Sequence, residues 1–108
     1  ADTCHLYSAG YDLVGDYDGV WEAWDRIIGL AHLACLHLND SKPPFASHRD
    51  RHELIGQGSL GPTPFARIMT DARFAALPKI LETPKGDEDM VTNDRAMLSL
   101  LRGYAGAR

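Results

Sequence analysis

The pattern of apolar and polar positions divides the chain into short, alternating elements. In "DYDGVWEAWDRIIGL" the residues Val20, Trp21, Trp24, Ile27 and Ile28 recur at the spacing of one helix face. Asp18 is the expected N-cap, Gly29 the expected stop, and both tryptophans are expected to pack in the core. "LACLHL", residues 33–38, is a short apolar run stopped by "NDSKPP", which reads as a strand and its breaker. Residues 39–61 keep no period and read as a long loop. "TPFARIMTDARF" predicts a second helix, with Thr63 capping it and Pro64 at its first position. "LPKILETP", residues 77–84, predicts a strand ended by Pro84. "GDED", 86–89, is a polar loop, and "TNDRAMLSLLRGYA" a third helix capped by Thr92 or Asn93. The opening "ADTCH" reads as the end of a strand.

The resulting order is strand, helix, strand, loop, helix, strand, helix. Such a repeat predicts a parallel sheet covered by helices, with reactive side chains gathered at the carboxyl ends of its strands. Each expected strand here ends in a good metal ligand: Asp2 and His5 on the first, His37 on the second, Glu82 on the third. "DRH" in the long loop adds Asp50 and His52 on one side of an extended segment. Singly, each has a plainer explanation: a terminal carboxylate, a core histidine, a surface glutamate, a common loop tripeptide. Their recurrence at every strand end favours a site for zinc or a similar ion.

Composition narrows the setting. A chain of 108 residues suits one small domain, and 44% hydrophobic with 24% charged residues suits a folded globule. There is no apolar run of membrane-spanning length and no signal-peptide pattern, so the expected location is the cytoplasm without membrane attachment. Cys4 and Cys35, both in strand-like stretches, are expected as reduced packing thiols. A net charge of −4 opposes simple electrostatic attraction to nucleic acid. Two divalent ions would cancel it. The chain does not start with methionine, and "DTCH" stands at its very beginning, so residue 1 is expected to be a cut through a larger fold.

Four segments, "DTCHLYSAGYD", "LHLNDSK", "DRHELIGQG" and "ILETPKG", come in an order and spacing that resemble the endonuclease IV family of zinc-dependent apurinic/apyrimidinic endonucleases. The resemblance runs from residue 1 to about residue 102. It implies an α/β fold, the carboxyl-terminal part of a (β/α)8 TIM barrel with about three parallel strands and their covering helices, residues 1–108 forming a partial domain. It implies a three-zinc cluster, with ligands for two of the ions here. His5, Asp50 and His52 would hold one; Asp2, His37 and Glu82 would hold another. A bridging glutamate and two histidines would come from the missing amino-terminal half. The implied substrate is DNA containing abasic sites, cut at the phosphodiester 5′ to the lesion. Lys42, Arg49 and Arg51 would contact phosphates, and Gly56 and Gly58 would let backbone approach the DNA. No residue beyond the metal ligands is assigned a catalytic role; Cys4 is expected only to pack.

Two rival readings stand beside this one. A sugar isomerase or epimerase of the same barrel type would need a single ion, for which Asp2, His37 and Glu82 suffice, but leaves His5 and "DRH" unexplained. Alternatively the 108 residues are a non-catalytic fragment that binds metal or associates with itself.

Overall fold

The computed structural model describes residues 1–85 and 91–106. The expected polar loop at 86–89 lies outside them. In chain order the elements are helix α1 (Thr3–Ser8), helix α2 (Tyr17–Ile27), strand β1 (Leu36–His37), strand β2 (Asp40–Ser41), strand β3 (His52–Glu53), helix α3 (Pro62–Thr70), strand β4 (Lys79–Ile80) and helix α4 (Thr92–Gly106).

Strand β1 is the middle of a narrow parallel sheet. On one side it pairs with β4, Leu36 opposite Lys79 and His37 opposite Ile80. The evenly spaced, slanted bonds of a parallel ladder run from Leu36 N–H to the Pro78 carbonyl (2.9 Å) and from Leu38 N–H to that of Ile80 (2.8 Å). On the other side Asp2 forms a parallel bridge with His37, and His37 N–H donates to the Ala1 carbonyl (2.7 Å). Three parallel segments therefore lie in the order 1–2, 36–38, 78–80, with α2 and α3 in the crossovers.

Several boundaries differ from the sequence expectation. "ADTCH" is not a strand end: only Asp2 reaches the sheet, and its Oδ1 accepts the His5 N–H (3.2 Å) as the N-cap of α1. Helix α2 is entered at Asp16, not Asp18; Asp18 instead faces Arg67 and Arg73. Helix α3 starts before Thr63, because Pro62 fits the first turn, where no N–H is needed. The long loop also contains an antiparallel ladder, Asp40 opposite Glu53 and Ser41 opposite His52.

The core lies between the sheet and its helices. Leu36 and Leu38 from β1 and its continuation, Trp21 from α2, Phe65 and Ile68 from α3, and Phe74 are completely buried. Trp21 meets Phe74 edge-on at 4.7 Å between ring centroids. The predicted apolar stripe of α2 is split. Val20 and Trp21 are buried, whereas Ile27 is 74% exposed and Ile28 half-exposed. With Tyr11 and Trp24 these isoleucines line an open apolar cleft. Among the described residues no helix is long and apolar enough to cross a membrane.

Asp71 ties α2 to the end of α3. It accepts from the Tyr17 hydroxyl (2.9 Å) and twice from the Arg73 guanidinium. Burial alone would push its carboxyl up, but the Arg73 and Tyr17 hydrogen bonds prevail and hold it below the ordinary aspartate value. Its stabilising effect is thus present above the unfolded pKa of about 3.9 and lost as pH falls through the depressed folded value. Arg73 is partly solvated, so Asp71→Asn should cost about 1 kcal/mol at neutral pH. Urea titrations at pH 7 and about pH 2 should show that the difference from wild type shrinks with acid.

Candidate metal centre

The carboxyl ends of the three parallel segments converge. Asp2, His37 and Glu82 place one ligand atom each within 4.8 Å of one another. His37 Nδ1 is hydrogen-bonded to Glu82 Oε1. Asp50, His52 and Cys4 form a second such group, and the two groups adjoin. His52 Nε2 lies 3.4 Å from Asp2 Oδ2 and 3.5 Å from Asp50 Oδ1. His5 is more peripheral, its Nδ1 3.9 Å from Asp50 Oδ2 and its side chain 67% exposed. All six ligands predicted from sequence therefore gather at one edge, His5 most loosely.

The tautomer of His52 follows from its surroundings. Its Nδ1 lies 2.9 Å from the Glu82 carbonyl, which only accepts, so Nδ1 carries a proton and Nε2 faces Asp2 and Asp50. Such an outer hydrogen bond commonly orients a metal-ligating histidine.

The donor set fits a bound cation. Asp2, Asp50 and Glu82 are paired only with histidines; among the described residues no lysine or arginine forms an ion pair with them. Three carboxylates gathered at one edge repel one another, a bound cation would relieve that repulsion, and mixed oxygen and nitrogen donors suit zinc or a similar metal. Cys4 completes the second group in place but not in character. Burial foremost, then the neighbouring Asp50 carboxylate, pushes the thiol up to about 12. Its S–H donates to the Arg51 carbonyl at 3.4 Å, as befits a packing thiol.

The loop carrying Asp50 and His52 is built around Asp40, which is fully buried. Its Oδ1 accepts the N–H groups of Ser41 (2.8 Å) and Leu60 (2.9 Å). Its Oδ2 accepts those of Gly56 (2.9 Å) and Gly58 (3.0 Å). Burial raises the Asp40 pKa, and these four donors pull the other way. This gives Gly56 and Gly58 a reason to be glycine that sequence reasoning missed. Gly56 has φ of 83°, and a Cβ on Gly58 would stand 2.4 Å from the Ser41 carbonyl oxygen. Their N–H groups are engaged by the protein itself. Lys42, Arg49 and Arg51 are exposed on the same loop. The loop's tip docks on α1, the Ala46 and His48 N–H groups donating to the Tyr7 and Ser8 carbonyls (3.1 and 2.9 Å). Ala46 and His48 both have positive φ, a strained conformation no sequence pattern announced.

A short parallel sheet with helical crossovers and candidate metal ligands at its carboxyl edge is a piece of an α/β barrel. The model of the family described as "Xylose isomerase-like TIM barrel" matches residues 1–102, and the chain belongs to that family. It is similar to the probable endonuclease 4 of Geotalea daltonii, 54% identical over 99% of this chain and 38% of the relative. It also matches that of Trichlorobacter lovleyi, 52% identical over 94% of this chain and 36% of the relative. Among solved structures, endonuclease IV from Thermus thermophilus superposes with a TM-score of 0.78 at 40% identity, over 94% of this chain and 38% of that one. The resemblance to endonuclease IV drawn from the four sequence segments is thus borne out. The chain spans just over a third of the length of these relatives.

The Asp40 nest yields a graded expectation. Gly58→Ala forces a shift of backbone and should cost about 1–3 kcal/mol; Gly56→Ala, which meets only a strained φ, should cost about 1 kcal/mol. Equilibrium unfolding of the two variants checks the order.

Proposed function

We propose that residues 1–108 are the carboxyl-terminal part of an endonuclease IV-type barrel domain that hydrolyses the DNA phosphodiester 5′ to abasic sites in the cytoplasm. The observation that carries this reading is the junction of two ligand groups at the Asp2–His52 approach of 3.4 Å. A single-metal isomerase needs only Asp2, His37 and Glu82. A site for several ions also uses Asp50, His52 and His5. The relatives' name, endonuclease 4, supports the same choice.

In this reading Asp2, His37 and Glu82 hold one zinc ion, and His5, Asp50 and His52 hold a second. Bound zinc supplies a nucleophilic water at neutral pH and neutralises charge on the phosphoryl oxygens. The chain's own residues orient that chemistry: His52 is held by the Glu82 carbonyl with Nε2 inward, and Asp40 fixes the loop that presents Asp50. Lys42, Arg49 and Arg51, exposed on this loop, position DNA through its phosphates. Gly56 and Gly58 contribute close backbone approach and shape rather than hydrogen bonds. An abasic nucleotide is the least costly to turn out of a duplex, since no base must be unstacked.

The resemblance implies a bridging glutamate and two histidines in an amino-terminal half outside these residues. The apolar cleft at Tyr11, Trp24, Ile27 and Ile28 is where that half would cover α2; without it, a second copy does so.

Three outcomes are expected. His52→Ala should lower bound zinc by about one equivalent, measured by mass spectrometry; equal metal in both proteins contradicts the ligand assignment. The 108-residue chain should sediment as oligomers, and Ile27→Glu with Ile28→Glu should shift it toward monomer. On a duplex with one tetrahydrofuran abasic analogue the chain alone should cut little or not at all, because a ligand misplaced by ~1 Å can cost about 100-fold. Supplying the amino-terminal half should restore incision, and Glu82→Ala should abolish it again. Strong incision by the chain alone overturns the incomplete-site reading.

A further inference from the structure

Asn39 is fully buried and lies two residues beyond His37, just past the end of β1. The two-residue period of extended backbone puts its side chain on the same side as His37, over the candidate site. Its amide reaches both neighbouring segments. Asn39 Oδ1 accepts the Glu82 N–H at 2.8 Å, and Asn39 Nδ2 donates to Asp2 Oδ2 at 3.2 Å. Chemistry fixes this orientation: a backbone N–H needs an acceptor and a carboxylate needs a donor, so the amide fits only one way round. Its backbone is clamped as well. Asn39 N–H donates to Thr3 Oγ1 (2.9 Å), whose hydroxyl donates to the Asn39 carbonyl (2.7 Å).

We infer that Asn39 is a positioning residue that aligns Asp2 and Glu82 as ligands of one metal ion. This rests on the metal-site reading above. One amide sets the rotation of the Asp2 carboxylate and the height of the Glu82 backbone on opposite sides of His37. The Glu82 peptide is thereby gripped at both ends, its N–H by Asn39 and the carbonyl by His52. Asp2 is gripped at both oxygens, Oδ1 by the His5 N–H and Oδ2 by Asn39. The amide holds the Asp2 carboxylate directly and Glu82 through its backbone, without adding charge.

The test separates holding the fold from aiming the ligands. Asn39→Asp keeps an acceptor for the Glu82 N–H but turns the donor facing Asp2 into a second acceptor; Asn39→Ala removes both. Zinc affinity is measured by competition with a chelating dye, alongside His37→Ala, and amide exchange at Glu82 is followed by NMR in metal-free protein. Asn39→Asp should keep Glu82 protected yet bind zinc about 10–100-fold more weakly, the size of effect expected of an outer partner to a ligand. Asn39→Ala should lose both. Zinc binding by Asn39→Asp as tight as wild type or tighter overturns the inference, as does an unprotected Glu82 amide in wild type. Loss of fold in Asn39→Asp by circular dichroism also overturns it, in favour of a purely structural role. Wild-type binding no tighter than that of His37→Ala overturns the metal-site reading itself, a result distinguishable from the others.

Discussion

The Asp40 carboxylate, completely shielded from solvent, receives N–H groups from Ser41, Gly56, Gly58 and Leu60. On that arrangement the rest of the carboxyl edge depends. A buried charge is costly unless its lone pairs are filled, and here four main-chain donors fill them. The donors come from residues up to 20 positions from Asp40, so satisfying one side chain folds a whole loop. The β2–β3 ladder then fixes His52 opposite Ser41, and Lys42 N–H donates to the Arg51 carbonyl. The candidate ligands Asp50 and His52 are thus delivered to the sheet by a loop with an internal framework of its own.

Asn39 and Asp40 divide the work between neighbouring positions. Successive residues of extended chain point to opposite sides. Asn39 turns toward the parallel sheet and aims ligands from the first and third segments, while Asp40 turns away and organises the loop. Neither contributes a metal ligand. Both accept backbone N–H groups from distant segments, and Asn39 also donates to the Asp2 carboxylate, which helps a sheet only two residues deep in its ladders bring several carboxylates together.

Much of this edge was legible in the chain, for a physical reason. Strand ends in a βα repeat are marked by breakers such as "NDSKPP" and Pro84, so the ligands just before them stand out. Local signals were weaker where competing chemistry acted. Asp2 reads as part of a strand, but its side chain also suits an N-cap, and the cap determines the course of residues 3–8. Ile27 and Ile28 keep the helical period, yet a period cannot say what covers them. Asn39, Gly56 and Gly58 were illegible in their roles because those roles are hydrogen bonds across 16 to 43 residues, which leave no trace in spacing.

Helix α1 has six residues, well below the length at which an isolated helix holds in water. Its last turn is completed from afar, the Tyr7 and Ser8 carbonyls receiving the N–H groups of Ala46 and His48. The helix and the loop tip are therefore one cooperative unit: neither has a reason to keep its shape once the other lets go. Asp2 caps the start of that helix, and Asp50 and His52 leave the end of that loop. A single local opening would scatter donors from both ligand groups at once, so the centre should assemble and come apart as a whole rather than one side chain at a time.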